Sequence, residues 1–124
     1  MTNDENKLEL TGDDGEGQLT VDVYQTPDEI VVESTIAGVK SDDIDIDVTS
    51  ESITIRGSRH REDKVDEKDY FYRECYWGKF SRSIILPQEV DPDKAHSALK
   101  NGILTIRMPK IHRNRARKVK VKED

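Results

Sequence analysis

The chain has 124 residues, of which 37% are charged and 33% hydrophobic, and its formal net charge at pH 7 is −6. This length and this lean apolar content predict one domain with a modest core, whose stability depends partly on partner subunits. No run of about 18 apolar residues is present, which excludes a membrane-spanning helix. The N-terminus lacks the basic start and apolar stretch of a signal peptide, and the single Cys75 cannot form an internal disulfide. We therefore expect a cytoplasmic protein.

Charge is distributed unevenly along the chain. Residues 1–47 contain fourteen Asp or Glu and two Lys, whereas residues 107–122 contain eight Lys or Arg and no acid. This asymmetry predicts ion pairing within or between subunits, with a nucleic-acid-binding tail as the alternative. The tail has no aromatic side chain on which a base could stack, and the body is acidic. We therefore expect no nucleic-acid partner.

The chain divides into three parts. Residues 1–17 are acidic, contain several glycines and predict a short flexible arm. Residues 18–110 carry the strand signals and predict the folded domain, and residues 111–124 form a basic tail.

Within the domain, alternating apolar and polar residues predict strands at 19–25, 30–38, 43–49, 53–57 and 103–109. Residues 70–86 predict a hairpin that bends at Trp77-Gly78, and residues 94–100 fit either a helix or a short strand. The pair Asn101-Gly102 predicts a tight hairpin turn. Short strands at regular spacing are typical of an all-β sandwich.

Residues 58–69 interrupt the strand pattern. Apart from Ser58 and Val65, every residue in this segment is charged or a histidine. A loop of this length is uncommon in a small sandwich and often serves an interaction.

Asp43, Asp45 and Asp47 alternate with β-branched residues, which raises the question of a calcium loop. An EF-hand loop needs glycine at its sixth position and glutamate at its twelfth. Counted from Asp43, those positions hold Val48 and Thr54. The spacing therefore favours a half-buried strand with its isoleucines inward and its aspartates in solvent.

Other reactive side chains form no recognisable site. The histidines at 60, 96 and 112 have no metal-ligand spacing, so we expect no metal site. Cys75 has no evident catalytic partner, and no glycine-rich phosphate loop is present. We expect no catalytic residue and no cofactor. The aromatic residues between 70 and 77 favour core and dimer packing, with an exposed protein-binding platform as the alternative.

Four segments occur in a recognisable order: GVKSDDI at 38–44, ITIRG at 53–57, GKFSRSIILP at 78–87 and AHSALKNGILTIRMPK at 95–110. Together they resemble the α-crystallin domain of small heat-shock proteins, over about residues 18–109. Two positions of the last segment depart from the family pattern, because Ser97 stands where alanine is usual and Ile103 replaces valine.

The resemblance implies an immunoglobulin-like antiparallel β-sandwich that is not an enzyme. It implies an ATP-independent holdase that binds partly unfolded client proteins under stress and prevents their aggregation. A co-chaperone adaptor of similar fold, which binds a folded partner without holding activity, is the alternative. The resemblance also implies a homodimer formed by exchange of a strand within the charged loop. The interface residues that it predicts are Val65, Tyr70, Phe71 and Arg82.

The resemblance further implies a groove for clients and for the tail of another subunit, which would build higher oligomers. In the tail, Val119-Lys120-Val121 is similar to the family's Ile-x-Ile docking motif. The predicted groove walls are Ile44, Ile46, Val48, Ala95, Ser97 and Leu99. The predicted rim charges are Asp45, Asp47, Lys118, Lys120 and Lys122.

The aspartates would deter wrong partners and attract the lysines of the tail, since opposite charges on neighbouring strands attract. A solvated strand face without such a role is the alternative. The short acidic arm differs from the longer apolar arms of the family, which favours a dimer or a small oligomer.

Overall fold

The computed structural model describes residues 17–112 and 118–124, and its fold is a sandwich of two four-stranded sheets. The strands are β1 (Gly17–Gln18), β2 (Asp22–Gln25), β3 (Glu29–Thr35), β4 (Ile44–Val48), β5 (Ser52–Arg59), β6 (Gly78–Ile85), β7 (His96–Lys100) and β8 (Ile103–Pro109). The first sheet has the order β1-β6-β5-β4 and the second has the order β2-β3-β8-β7. All pairs are antiparallel except the short pair β1–β6. The predicted all-β, immunoglobulin-like sandwich is confirmed.

The core lies between the sheets and follows the alternation of β3, β5 and β8. Ile30 pairs with Met108 and Val32 pairs with Ile106 across β3 and β8, and each of these side chains is at most 1% exposed. Ile53 and Ile55 of β5 close the core from the opposite sheet. Burying one such side chain contributes roughly 1.5–3 kcal/mol, so this narrow layer is the main stabilising element.

The aspartate-rich segment forms a half-buried strand, as predicted, and this strand lies at the edge of its sheet. In β4 the side chains of Ile44, Ile46 and Val48 are half-buried and pack against the core, while Asp45 and Asp47 are exposed. This alternation follows from the two-residue period of a strand, because one face lies on the core and the other in water.

The segment that fitted either a helix or a strand contains β7, preceded by a 3₁₀ turn at Pro92–Lys94. Asp91 caps that turn by accepting a hydrogen bond from the Asp93 backbone N–H at 3.0 Å. β7 and β8 are joined by Asn101 and Gly102, whose φ angles are 53° and 78°. The turn needs two positive φ angles, which asparagine and glycine adopt most readily, so the predicted hairpin turn is confirmed.

The predicted hairpin over residues 70–86 is wrong in its first arm. β6 begins at Gly78, and residues 60–77 contain no strand, only a 3₁₀ turn at Glu67–Asp69. The rings of Tyr70 and Trp77 face the guanidinium group of Arg61 instead of a neighbouring strand. Tyr70 and Trp77 therefore make contacts at the base of the loop, whereas Phe71 and Tyr72 are 97% and 84% exposed and do not pack in the core of this chain.

The predicted flexible arm covers residues 1–17, and residues 1–16 of it lie outside the described part of the chain. Gly17 begins β1, and Leu19 directly after that strand is 5% exposed and belongs to the core. The described chain is therefore fixed to the sandwich from its first residues onward.

Candidate docking cleft and interface loop

A cleft of about 230 Å³ runs between the two sheets at the side where β4 and β7 are the edge strands. Ile46 and Val48 line it from β4, and Ile106 of β8 forms its floor. The opposite wall consists of Pro92, Ala95, His96 and Ser97. The small side chains at 95 and 97 keep this wall low, so an apolar side chain can enter between the sheets.

Four of the six predicted wall residues lie around this cleft: Ile46, Val48, Ala95 and Ser97. Ile44 and Leu99 also pack against the core but do not line the cleft. Pro92, His96 and Ile106 were not predicted. Ile106 could have been found from the hairpin register, because it lies directly opposite Ser97. That any of these residues binds a tail or a client stays a prediction.

Both strands beside the cleft have an open edge among the described residues. β4 pairs only with β5, and β7 pairs only with β8. An unpaired edge presents a row of free N–H and C=O groups, which can accept an added strand. The cleft therefore combines apolar side chains from β4 and β8 with backbone groups able to bind an extended segment.

The outer side of β4 carries the two predicted rim aspartates, and both are exposed. Asp45 lies opposite Arg56 on β5, and Arg56 Nη1 is 3.7 Å from Asp47 Oδ2. Both side chains of this ion pair are more than half exposed, so it contributes little to stability. Arg56 would therefore compete with the tail lysines for these aspartates, and the sequence alone did not indicate this competition.

The tail residues lie free of the cleft in this single chain. Val119 is 81% exposed and Val121 is 92% exposed. Lys118, Lys120 and Lys122 are exposed as well, and residues 118–124 form no strand. Two valines that are this exposed on a short segment are available to a partner surface.

The base of the long loop is held by stacked cations and rings. The Arg61 guanidinium carbon lies 4.7 Å from the centre of the Trp77 ring and 5.8 Å from that of Tyr70. Arg73 lies 4.9 Å from the Tyr70 ring, and its Nη1 is 3.2 Å from Glu67 Oε2. Such contacts contribute roughly 0.5–1 kcal/mol each at exposed sites. The two ends of the loop are therefore connected through side chains.

The four predicted interface residues differ in their exposure, and one of them lies outside the loop. Phe71 is 97% exposed and Val65 is 41% exposed, whereas Tyr70 is half-buried in the stack just described. Arg82 lies on β6, and its Nη1 donates a hydrogen bond to the Leu19 carbonyl at 2.8 Å. Arg82 thus ties the N-terminal segment to its own subunit, and its predicted role between subunits stays untested.

Arg59, at the end of β5, is a structural residue that the sequence did not indicate. Its Nε donates to the Ala37 carbonyl at 3.0 Å and its Nη1 donates to the Tyr76 carbonyl at 3.4 Å. Its guanidinium also lies over the Phe80 ring. One arginine therefore connects two loops and β6.

Within residues 17–112 and 118–124, no group of His, Cys, Asp and Glu is arranged to hold a metal ion. No helix in this part of the chain is long and apolar enough to span a membrane.

Comparison with solved structures supports the same architecture. Heat shock protein 16.0 from Schizosaccharomyces pombe superposes with a TM-score of 0.71 at 28% identity, over 87% of this chain and 100% of that chain. A small heat-shock protein from Xylella fastidiosa superposes with a TM-score of 0.68 at 25% identity, over 85% and 96% of the two chains.

Sequence relatives agree. The chain is 35% identical to small heat shock protein C2 of Rickettsia felis over 101 residues, which is 82% of this chain and 66% of the relative. Small heat shock protein C4 of the same organism is 35% identical over 81% of this chain and 61% of the relative. The matches thus span just under two thirds of the length of these relatives. The model of the Hsp20/alpha crystallin family matches residues 15–122, so this chain belongs to the Hsp20/alpha crystallin family.

Proposed function

We propose that this protein is an ATP-independent holdase that binds partly unfolded proteins under stress and prevents their aggregation. Proteins of its family are non-enzymatic chaperones. The observation that carries the proposal is the cleft between the sheets, which Ile46, Val48 and Ile106 line and which has an open strand edge on each side. Partly unfolded clients expose extended apolar segments, and such a segment can pair with an edge while its side chains enter the cleft.

The same cleft is the proposed docking site for Val119 and Val121 of a tail. Their exposure in the single chain supports this, because a hydrophobic pair that finds no cover in its own subunit gains free energy by entering an apolar cleft. Lys118, Lys120 and Lys122 would then lie beside Asp45 and Asp47. A tail and a client would compete for one site.

We further propose a homodimer that forms by strand exchange through the loop at 58–70. The support is the exposure of Phe71 and Val65, together with the open outer edge of β2, whose four residues are all exposed. Higher oligomers would form through the tails. A cytoplasmic location is also proposed, since the exposed Cys75 has no partner for an internal disulfide.

The test is light scattering from a heat-unfolding model enzyme, with and without this protein, in nucleotide-free buffer. We expect suppression of scattering at near-stoichiometric ratios. Ser97→Trp would fill the cleft and weaken the suppression. The matched control is Ala98→Trp, which places the same ring on the outer face of the same strand, next to Thr105 and away from the cleft.

Two results would contradict the proposal. Equal activity of Ser97→Trp and the wild type would show that clients do not use the cleft. No suppression at several-fold excess, from a chain shown to be folded, would favour an adaptor that binds a folded partner.

A further inference from the structure

The outer face of the second sheet carries acids on one half and bases on the other. Along β3 and β8 the core residues alternate with outward ones, so every second side chain of this sheet lies on the outer face. The outward acids belong to β2 and β3 and are Asp22, Glu29 and Glu33. The outward bases belong to β8 and β7 and are Arg107, His96 and Lys100. The boundary between the halves follows the strands, because β3 and β8 are neighbours in the sheet.

The charges on this face are only partly compensated within the chain. Arg107 pairs with Glu29 at 3.0 Å across the boundary. Neither Asp22 nor Lys100 has an ion-pair partner among residues 17–112 and 118–124. Asp22 also lies directly opposite Glu33, and like charges in this arrangement are destabilising. A cation from outside the chain would therefore stabilise the acidic half, and the basic half has a free lysine to offer.

The middle of the face adds apolar surface to this charge pattern. Val31 points outward but is fully buried, and its neighbours on the two adjacent strands are Tyr24 and Arg107. Ile103 lies further along the face and is 43% exposed. It lines two hollows, one of about 470 Å³ towards β7 and one of about 160 Å³ towards β2. The face therefore has both apolar area and relief that a matching surface can cover.

A face divided in this way is complementary to itself in one orientation. When a second copy is turned by half a revolution about an axis along the boundary, its β8 faces β3 of the first copy and its β7 faces β2. Acids then lie on bases in both directions, and Lys100 of each copy lies within two residues of the level of Asp22 in the other. The same turn about an axis across the strands places acids on acids. The charge pattern therefore selects one two-fold arrangement, in which both copies use the same patch.

We infer that two copies of this chain associate face to face through the outer sides of their second sheets, about a two-fold axis parallel to the strands. Four strands about 4.8 Å apart and up to seven residues long cover roughly 400 Å² per copy, which is below the size of a stable interface. The contact is therefore weak by itself, and it is strengthened where an assembly presents several such faces at once. It uses neither the cleft nor the outer edge of β2, so it goes beyond the proposed function and does not depend on it.

The test is sedimentation velocity over a concentration series at low ionic strength. The full chain carries Val119→Ala and Val121→Ala throughout, so that tail docking does not contribute to association. In this background Lys100→Glu should weaken association roughly 2- to 30-fold, because each charge pair is individually modest and occurs twice in a symmetric contact. The matched control is Lys79→Glu, which changes the net charge equally but lies on the outer face of the other sheet and should leave association unchanged.

A double variant separates a pair contact from an effect of net charge. Asp22→Lys alone should weaken association by a similar factor, because it removes the partner of Lys100 in the second copy. Asp22→Lys with Lys100→Glu exchanges the two charges and keeps the net charge of the chain, so association should return to near the background value. Asp22→Lys with Lys79→Glu has the same net charge but places the new acid on the other sheet, so it should not recover.

Three results would overturn the inference. Equal association of Lys100→Glu and Lys79→Glu would show that the basic half makes no contact. Equal association of the two double variants would show that only net charge matters. Absence of concentration-dependent association in the background chain, at low ionic strength and high protein concentration, would show that the faces do not bind each other. The holdase assay uses an unfolding client and is scored separately, so the chaperone proposal can succeed or fail independently.

Discussion

Arg61 and Trp77 are stacked, with 4.7 Å between the guanidinium carbon and the ring centre, and this contact joins the two ends of the long charged loop. The last backbone pair between β5 and β6 is Arg59 with Gly78. Beyond this last pair the two segments stay in contact through the side chains of Arg61 and Trp77. This contact therefore opposes opening of the loop at its base.

Arg61→Ala should loosen the base of the loop with little change in global stability. The lost contacts contribute roughly 0.5–1 kcal/mol each, and they lie outside the core. Trp77 is the only tryptophan in the chain, so its fluorescence reports this site directly. We expect stronger quenching by acrylamide in Arg61→Ala. Arg56→Ala, which removes an exposed arginine paired with Asp47 on β4, serves as control. Equal quenching in all three proteins would contradict the stacked arrangement.

Arg82→Ala should lower the stability of the single subunit by about 1–2 kcal/mol, because the Leu19 carbonyl loses a charged donor. Thermal unfolding monitored by circular dichroism measures the loss. Leu19→Ala should cost more, about 2–5 kcal/mol, since it opens a cavity in the core. Lys79→Ala on the same strand is the control. An unchanged midpoint for Arg82→Ala, combined with loss of the dimer, would place Arg82 at the subunit contact alone.

Gly57→Ala should destabilise the sandwich and disturb the β4 wall of the cleft. A Cβ atom at this position would lie 2.6 Å from the Phe80 ring and 2.7 Å from the Asp43 carbonyl oxygen. Overpacking of this kind typically costs about 1–3 kcal/mol. Urea denaturation measures the change, with Ser58→Ala on the outer side of the same strand as control. A midpoint equal to that of Ser58→Ala would show that β4 moves away at no cost.

Val119→Ala combined with Val121→Ala should weaken assembly, because each change removes two carbons of buried apolar surface, about 0.8 kcal/mol per carbon, from the docked tail. Dynamic light scattering over a concentration series measures the change. Ile85→Ala, at the exposed end of β6, is the control for general loss of apolar surface. An assembly unchanged by the double variant would contradict docking through the valines.

Salt provides an independent check on the rim charges. The Debye length is about 10 Å at 0.1 M ionic strength and shortens as salt is added, so the attraction between exposed charges weakens. Tail-dependent assembly should therefore shrink as salt rises, and the variant Asp45→Asn with Asp47→Asn should respond less than the wild type. The same salt response in both proteins would leave the aspartates without a role.

The strands could be predicted because their signal is local. Alternation in 43–49 and in 103–109 already separates inward from outward side chains, and Asn101-Gly102 specifies its own turn. The conformation of residues 60–77 could not be predicted in this way, because Arg61 meets Tyr70 and Trp77 across the loop. The sequence predicts a hairpin arm over residues 70–77, and the tertiary contacts override it.

The cleft was predictable only in part for a similar reason. Its walls follow from the alternation within β4 and β7, but its floor is Ile106 from a third strand. The two walls lie on different sheets, so they face each other only because the sheets pack together, and no single segment of the sequence encodes this packing. Likewise, the proximity of Arg56 to Asp47 depends on how β4 pairs with β5, which neither segment specifies by itself.

Ile106 forms the floor of the cleft and is also a fully enclosed member of the core, while the walls beside it belong to opposite sheets. The width of the cleft is therefore the spacing between the sheets. A core substitution that changes this spacing is therefore expected to change the cleft together with the stability of the fold.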